Sequence, residues 1–172
     1  MLHKLIAIAS TEVGVREDGG NNRGSRIRQY QSATELAVGA WPWCAAFVDW
    51  CIKEWLEDVK VAHWLALKKR TPEEWRPKTA LAYGLTAWAK NRPSTTCIYT
   101  ERDKAEPGDI VTFDFSHTGF VVEDDGKNIV TIEGNTNGRG DRDSDSGDGV
   151  WRKIRKKSLV RNIIRIHPSI NK

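Results

Sequence analysis

The strongest constraint on this chain is a change of period near residue 93. Before it, apolar residues recur at helical spacing; after it, they alternate. Leu2, Leu5, Ile6, Ala9 and Val13 mark an amphipathic helix over residues 2–13, followed by a Gly- and Asn-rich loop from Gly14 to Gly24 and a short helix over Ser25–Gln31. A linker through Gly39, Trp41 and Pro42 leads to a helix from Cys44 to about Asp58. Residues 59–78 read as an inserted helical excursion, in which Thr71-Pro72-Glu73-Glu74 has the form of a capping box with Pro at the first helical position. Another helix, Ala80 to Lys90, ends before Asn91-Arg92-Pro93.

Strands are then expected at Cys97–Tyr99, Asp109–Phe115, His117–Glu123, Asn128–Glu133, Val150–Arg155 and Ile163–His167. Pro107-Gly108 and Asp124-Asp125-Gly126-Lys127 supply turns, and a polar loop runs from Gly134 to Gly149. Helices first and an antiparallel meander afterwards predict an α+β fold, with N-terminal helices packed on the sheet. At 172 residues this is one domain, 1–172, with no separate wall-binding module.

The eight tryptophans supply much of the core. A net charge of +4 favours anionic surfaces without choosing among them. The segment from Trp151 onward contains Lys and Arg but no acid, which fits either a strand with a solvated basic face or a patch for an anionic polymer. Cys44 and Cys51 are seven residues apart on one helix, roughly 10 Å between Cα atoms and too far for a disulfide. Free thiols point to a reducing compartment of synthesis. The N-terminus reads as an amphipathic helix, not a signal peptide, and nothing is expected to insert stably in a membrane.

Cys44, in the run WPWCAAFVDWC, is where a thiol can become a nucleophile. Phe47, Val48, Cys51, Ile52, Trp55 and Leu56 share its inward face, while Asp49, Lys53, Glu54 and Glu57 are placed on the opposite, polar one. In the first turn of a helix, unsatisfied N–H groups and the positive end of the dipole favour a thiolate. Cys51, two turns on, lacks that advantage and should pack. Such a nucleophile needs a base, and the base needs an orienting group. Among four histidines, His3 and His167 lie near the termini and His63 sits in the insertion. His117 opens a strand, with Gly119 leaving room beside it. The next strand carries Glu133 and Asn135, two apart and so on one face, and either can accept a hydrogen bond from the imidazole. Trp41 and Trp43 fit either a substrate-groove wall or simple core packing.

In order and wording, WPWCAAFVDWC, PGDIVTFDFSHTGFVVE and IEGNTN resemble the CHAP family of cysteine amidases and peptidases, relatives of NlpC-type cell-wall hydrolases with a papain-like core. The ending GDGVWRKIRKKSLV resembles phage endolysins and related bacterial peptidoglycan hydrolases; residues 59–78 have no counterpart. The resemblance implies Cys44 as nucleophile, His117 as general base and acid, Glu133 as the group orienting the imidazole and Asn135 as a fourth polar member. It implies an amide bond of peptidoglycan as substrate, with phage-type release after holin action. An antibacterial effector of the same chemistry, a transacylase and a non-catalytic binder of anionic wall polymers are the rival readings. A monomer is expected, with no nucleic-acid partner.

No cofactor or metal is expected. The loop GRGDRDSDSGDG has acids at Asp141, Asp143, Asp145 and Asp148, but counting from Asp141 the sixth position is Ser146 and the twelfth Arg152. A calcium loop would need Gly and Glu there. The calcium-binding members of the family place acids just before the nucleophile, and Leu36 to Trp43 contains none. Neither HExxH nor a paired-cysteine motif supports zinc.

Overall fold

The computed structural model describes residues 1–67, 70–139 and 147–169. Six helices precede six strands: α1 (Leu2–Thr11), α2 (Ser25–Gln31), α3 (Cys44–Leu56), α4 (Val59–Leu65), α5 (Pro72–Trp75), α6 (Ala82–Lys90), then β1 (Thr96–Tyr99), β2 (Ile110–Phe113), β3 (Thr118–Asp124), β4 (Asn128–Thr136), β5 (Gly149–Lys156) and β6 (Val160–Ile166). The fold is α+β, with one antiparallel sheet in the order β1-β6-β2-β3-β4-β5. It is not a simple meander. β6 returns to lie between β1 and β2, because Ile163 and Ile164 are apolar on successive positions and need cover on both faces of the sheet.

Helix α3 is the axis of the molecule. Its inner face packs on β3 and β4, with α1 and α2 against its other sides. The close approach is made at Gly134 of β4, where a Cβ would stand 2.6 Å from Phe47 Cβ and 2.8 Å from the Trp43 ring. Trp43, Phe47, Trp50, Cys51 and Trp55 bury with Tyr30, Phe120 and Ile132 in one cluster. A second cluster, including Val111, Phe113, Val121 and Ile163, lies among the sheet residues. Val61, Leu65 and Trp75 of the 59–78 segment enter the first core, Trp75 meeting Trp88 edge-on at 5.2 Å. The capping box at Thr71 and Glu74 is formed.

Two charge placements differ from the sequence expectation. Asp49 lies in the interior with no exposed surface, and neither carboxyl oxygen has a hydrogen-bond partner among the described residues. Helix α3 is wrapped on more than one side, so its expected polar face is covered at this position. Burial pushes the Asp49 carboxyl well above its ordinary range; Thr79 and Arg76 stand near enough to favour the anion without bonding to it. An acid with a raised folded pKa stabilises the fold least where unfolded chains are ionised. Stability therefore declines as pH rises above 3.8. Asp49→Asn is expected to abolish that decline and raise Tm at pH 8 by about 2–4 °C or more, the shift produced by about 1 kcal/mol in a chain of this size. Thermal melts of both proteins from pH 4 to pH 8 check this.

The C-terminal basic segment is the second difference. On β5 the inward positions are Lys153 and Arg155, continued by Lys157, while Ile154 is 67% exposed. These cations face acids and carbonyls: Arg155 meets Glu133, Lys157 Nζ meets Asp124 Oδ2 at 2.6 Å, and Lys153 Nζ donates to the carbonyls of Asn137 and Arg139. On β6, Arg165 pairs with Asp109 and Glu106. Much of the segment's charge is thus internal pairing, and neither a wholly solvated basic face nor a continuous polymer patch describes it.

Candidate active site

The linker before α3 is held by one buried amide. Gln31 Nε2 donates to the carbonyls of Gly39 at 2.7 Å and Trp41 at 3.1 Å, and its Oε1 accepts from the Gly39 N–H. The chain then enters the helix with Trp43 at the N-cap and Cys44 as the first helical residue. At that position the Cys44 backbone N–H has no intrahelical acceptor.

The sheet brings the imidazole. His117 ends the β2–β3 turn, its carbonyl accepting from Phe113 N–H, and Ser116 before it takes a left-handed conformation at φ 58°. Its ring stacks on Phe115 at 5.8 Å and 11°, and Phe115 stacks on Phe113 at 5.3 Å. His117 Nε2 is 2.9 Å from Glu133 Oε2. A carboxylate can only accept, so Nε2 carries the proton and Nδ1 is left to serve Cys44. Gly119 makes this contact possible: a Cβ there would lie 2.6 Å from Glu133 Cγ and 2.6 Å from Ile132 O. The space it leaves serves the carboxylate under the histidine, not the imidazole ring itself.

Glu133 is fully buried and multiply held. Arg155 Nε donates to Oε1 at 3.0 Å and its Nη2 to Oε2 at 2.5 Å, while Thr131 Oγ1 donates to Oε1. Burial opposes its charge; Arg155 and His117 overcome that and hold the carboxyl down at about 2. Burial also opposes a charged His117, but the charge and hydrogen bond of Cys44, with those of Glu133, push the imidazole up to about 9. Between 6.5 and about 9 only the folded chain keeps this proton, so the stability it contributes is complete below 6.5 and is lost through pH 9. Catalysis through a thiolate–imidazolium pair is expected to fail on the same limb. A pH–rate profile should fall above about pH 9, and Glu133→Gln should move that fall to lower pH.

A cleft of about 490 Å³ joins these elements. Its lining includes Cys44, His117, Asn135, Trp41, Leu81 and Asn22. Asn135 reaches it by an irregularity: at φ 54°, in a register break between Glu133 and Thr136, it departs from regular alternation, so Glu133 lies beneath His117 while Asn135 lines the cleft. Trp41 forms part of the wall, its indole N–H tied to Ala37 O at 2.8 Å. Trp43 does not; it has no exposed surface, donates to Glu17 and stacks on Tyr30, because the N-cap residue faces the core where Gly134 admits it. Cys51 is buried and its thiol is pushed well up by burial. Cys97 lies elsewhere, 3.4 Å from His167 Nε2, and His63 is exposed. All three cysteines are free.

The sequence matches the CHAP domain family over residues 37–135, more than half of the chain and a span containing Cys44, His117, Glu133 and Asn135. The chain belongs to the CHAP domain family. A search of curated proteins finds no match. CHAP membership points to an amidase or endopeptidase acting on peptidoglycan. The CHAP match ends at Asn135, so the endolysin-like wording of the C-terminal segment lies outside it, as does Arg155. Sequence alone does not single out that arginine, because four of the eight residues of β5 are basic, Arg152, Lys153, Arg155 and Lys156, a composition that reads as a solvated face. No group of three or more His, Cys, Asp or Glu placed to hold a metal occurs among the described residues, and no helix among them is long and apolar enough to cross a membrane. Asp148 is engaged by Arg16 and Trp151; Asp141, Asp143, Asp145 and Ser146 lie outside the described residues.

Proposed function

We propose that this CHAP protein hydrolyses an amide bond of bacterial peptidoglycan through Cys44, His117 and Glu133. The observation that carries the reading is a helix-start thiol and a carboxylate-held imidazole meeting in one cleft. Cys44 Sγ attacks the carbonyl carbon, and the oxyanion is stabilised by the Cys44 backbone N–H, with the Asn135 side chain beside it. The proton on His117 passes to the leaving nitrogen, the C–N bond breaks and a thioester remains. His117 next takes a proton from water, hydroxide adds to the thioester, and the C–S bond breaks, releasing the acid product and restoring the Cys44 thiolate beside a protonated His117. The net change is one water consumed per bond. Trp41 serves as a wall for the sugar or peptide, and every step is carried by side chains and backbone of this chain.

The endolysin role is part of the same proposal: synthesis in the cytoplasm, release to the wall by a holin-type route, and action as a monomer. Loss of turbidity of purified cell walls tests the chemistry. Wild type should clear the suspension and Cys44→Ala should not; equal clearing by both removes the thiol mechanism.

A further inference from the structure

A second cavity, about 780 Å³, abuts the catalytic cleft. The two share Asn22, and the chain from Gly39 and Ala40 in one runs into Trp41 and Pro42 in the other. Its wall carries Arg23 and Arg28, both exposed, and neither guanidinium has a hydrogen bond or ion pair among the described residues. Arg155, Lys157 and Arg165, by contrast, are each paired with an acid. Asp18 is the single acid on the wall, leaving a net positive charge, and Val38 adds an apolar surface. Asn22 between the cavities is 8% exposed and held at φ 57°, a conformation that Asn tolerates better than most residues. Its side-chain amide has no hydrogen-bond partner among the described residues, and the residue lines both cavities. Two unpaired forks and an unpaired amide, on a cavity adjoining the cleft that holds Cys44, are a donor set suited to an anion.

We propose that this cavity is a substrate subsite for a free carboxylate on the peptide whose amide is presented to Cys44. The inference rests on the peptidoglycan reading and adds which part of the substrate is recognised. Asn22 would meet the backbone of the bound peptide as it passes from one cavity to the other, and Arg23 and Arg28 would clamp the carboxylate. A planar fork matches a carboxylate bidentately, so neutralisation at this wall should act on KM for acidic substrates and leave neutral ones unaffected.

Soluble stem-peptide fragments separate local recognition from general attraction to a charged wall. Two probes are used, one with its side carboxylate free and one with that carboxylate amidated. Wild type should show a KM about tenfold or more lower for the free acid. Arg23→Gln/Arg28→Gln should erase that difference, chiefly by raising KM for the acid, with the amidated probe unchanged. Arg23→Lys/Arg28→Lys should restore part of it, and Lys90→Gln/Arg102→Gln, which changes net charge equally at exposed positions elsewhere, should retain it. If wild type cleaves both probes with equal KM, or the double Gln variant keeps the preference, the subsite is overturned while the hydrolase reading stands. If wild type cleaves neither probe nor intact walls, the hydrolase reading falls and the subsite falls with it.

Discussion

Arg155→Met is expected to destabilise the protein by about 3–5 kcal/mol, because it leaves a buried carboxylate with only part of its compensation. Glu133 and Arg155 are both fully buried, and the arginine supplies a hydrogen bond to each carboxylate oxygen. The effect has a pH signature that simple loss of packing lacks. With Arg155 present, Glu133 is held at about 2, so the stability it contributes is complete above 4.5 and is lost only as pH falls through 2. Without it, the carboxyl titrates at higher pH and the acid loss begins earlier. As Glu133 loses charge His117 loses its anion, so the variant's alkaline activity limb should also move down from about 9. Arg155→Lys keeps the charge but not the fork and should recover stability in part. Urea unfolding from pH 4 to pH 8, with a pH–rate profile of each variant, measures both effects; unchanged profiles in a merely less stable protein would reduce Arg155 to a packing role.

His117→Ala is expected to lower kcat by about a thousandfold or more, the usual contribution of a positioned general acid and base. Binding should change little, since the imidazole occupies only one edge of the cleft. Glu133 keeps Arg155 and Thr131 as partners in this variant, so the fold should survive better than in Arg155→Met. Single-turnover measurements should place the loss in formation of the thioester. Alkylation of Cys44 by iodoacetamide at neutral pH should slow alongside it, because the imidazolium no longer accompanies the thiolate. The half-buried Cys97 beside His167 is a second thiol, so alkylation must be assigned by peptide mapping.

Much of this site was legible because its signals are local. Cys44 at a helix start, His117 beside a strand and Glu133 on the next strand each follow from spacing, turn residues and period. What escaped depended on pairing across the sheet. Arg155 is recognisable only once β5 is set against β4, which turns Lys153 and Arg155 inward and leaves Arg152 and Lys156 outside, and the return of β6 between β1 and β2 belongs to the same long-range order. Trp43 is in the core instead of the groove because Gly134 lets the helix approach, a contact between residues far apart in the chain. Helical period alone puts Asp49 on a polar face, yet that face is covered at this position. The Arg23 and Arg28 cavity lies partly in a Gly- and Asn-rich loop, where periodicity says nothing about which side chains end up unpaired.

The most direct test is mass spectrometry of purified peptidoglycan after digestion by wild type and by Cys44→Ala. The account predicts that wild type releases fragments ending in a new amine and a new carboxyl, with one water gained per cut, and that Cys44→Ala releases none. New reducing sugar ends with intact amides, or the same amide cuts from both proteins, would contradict it.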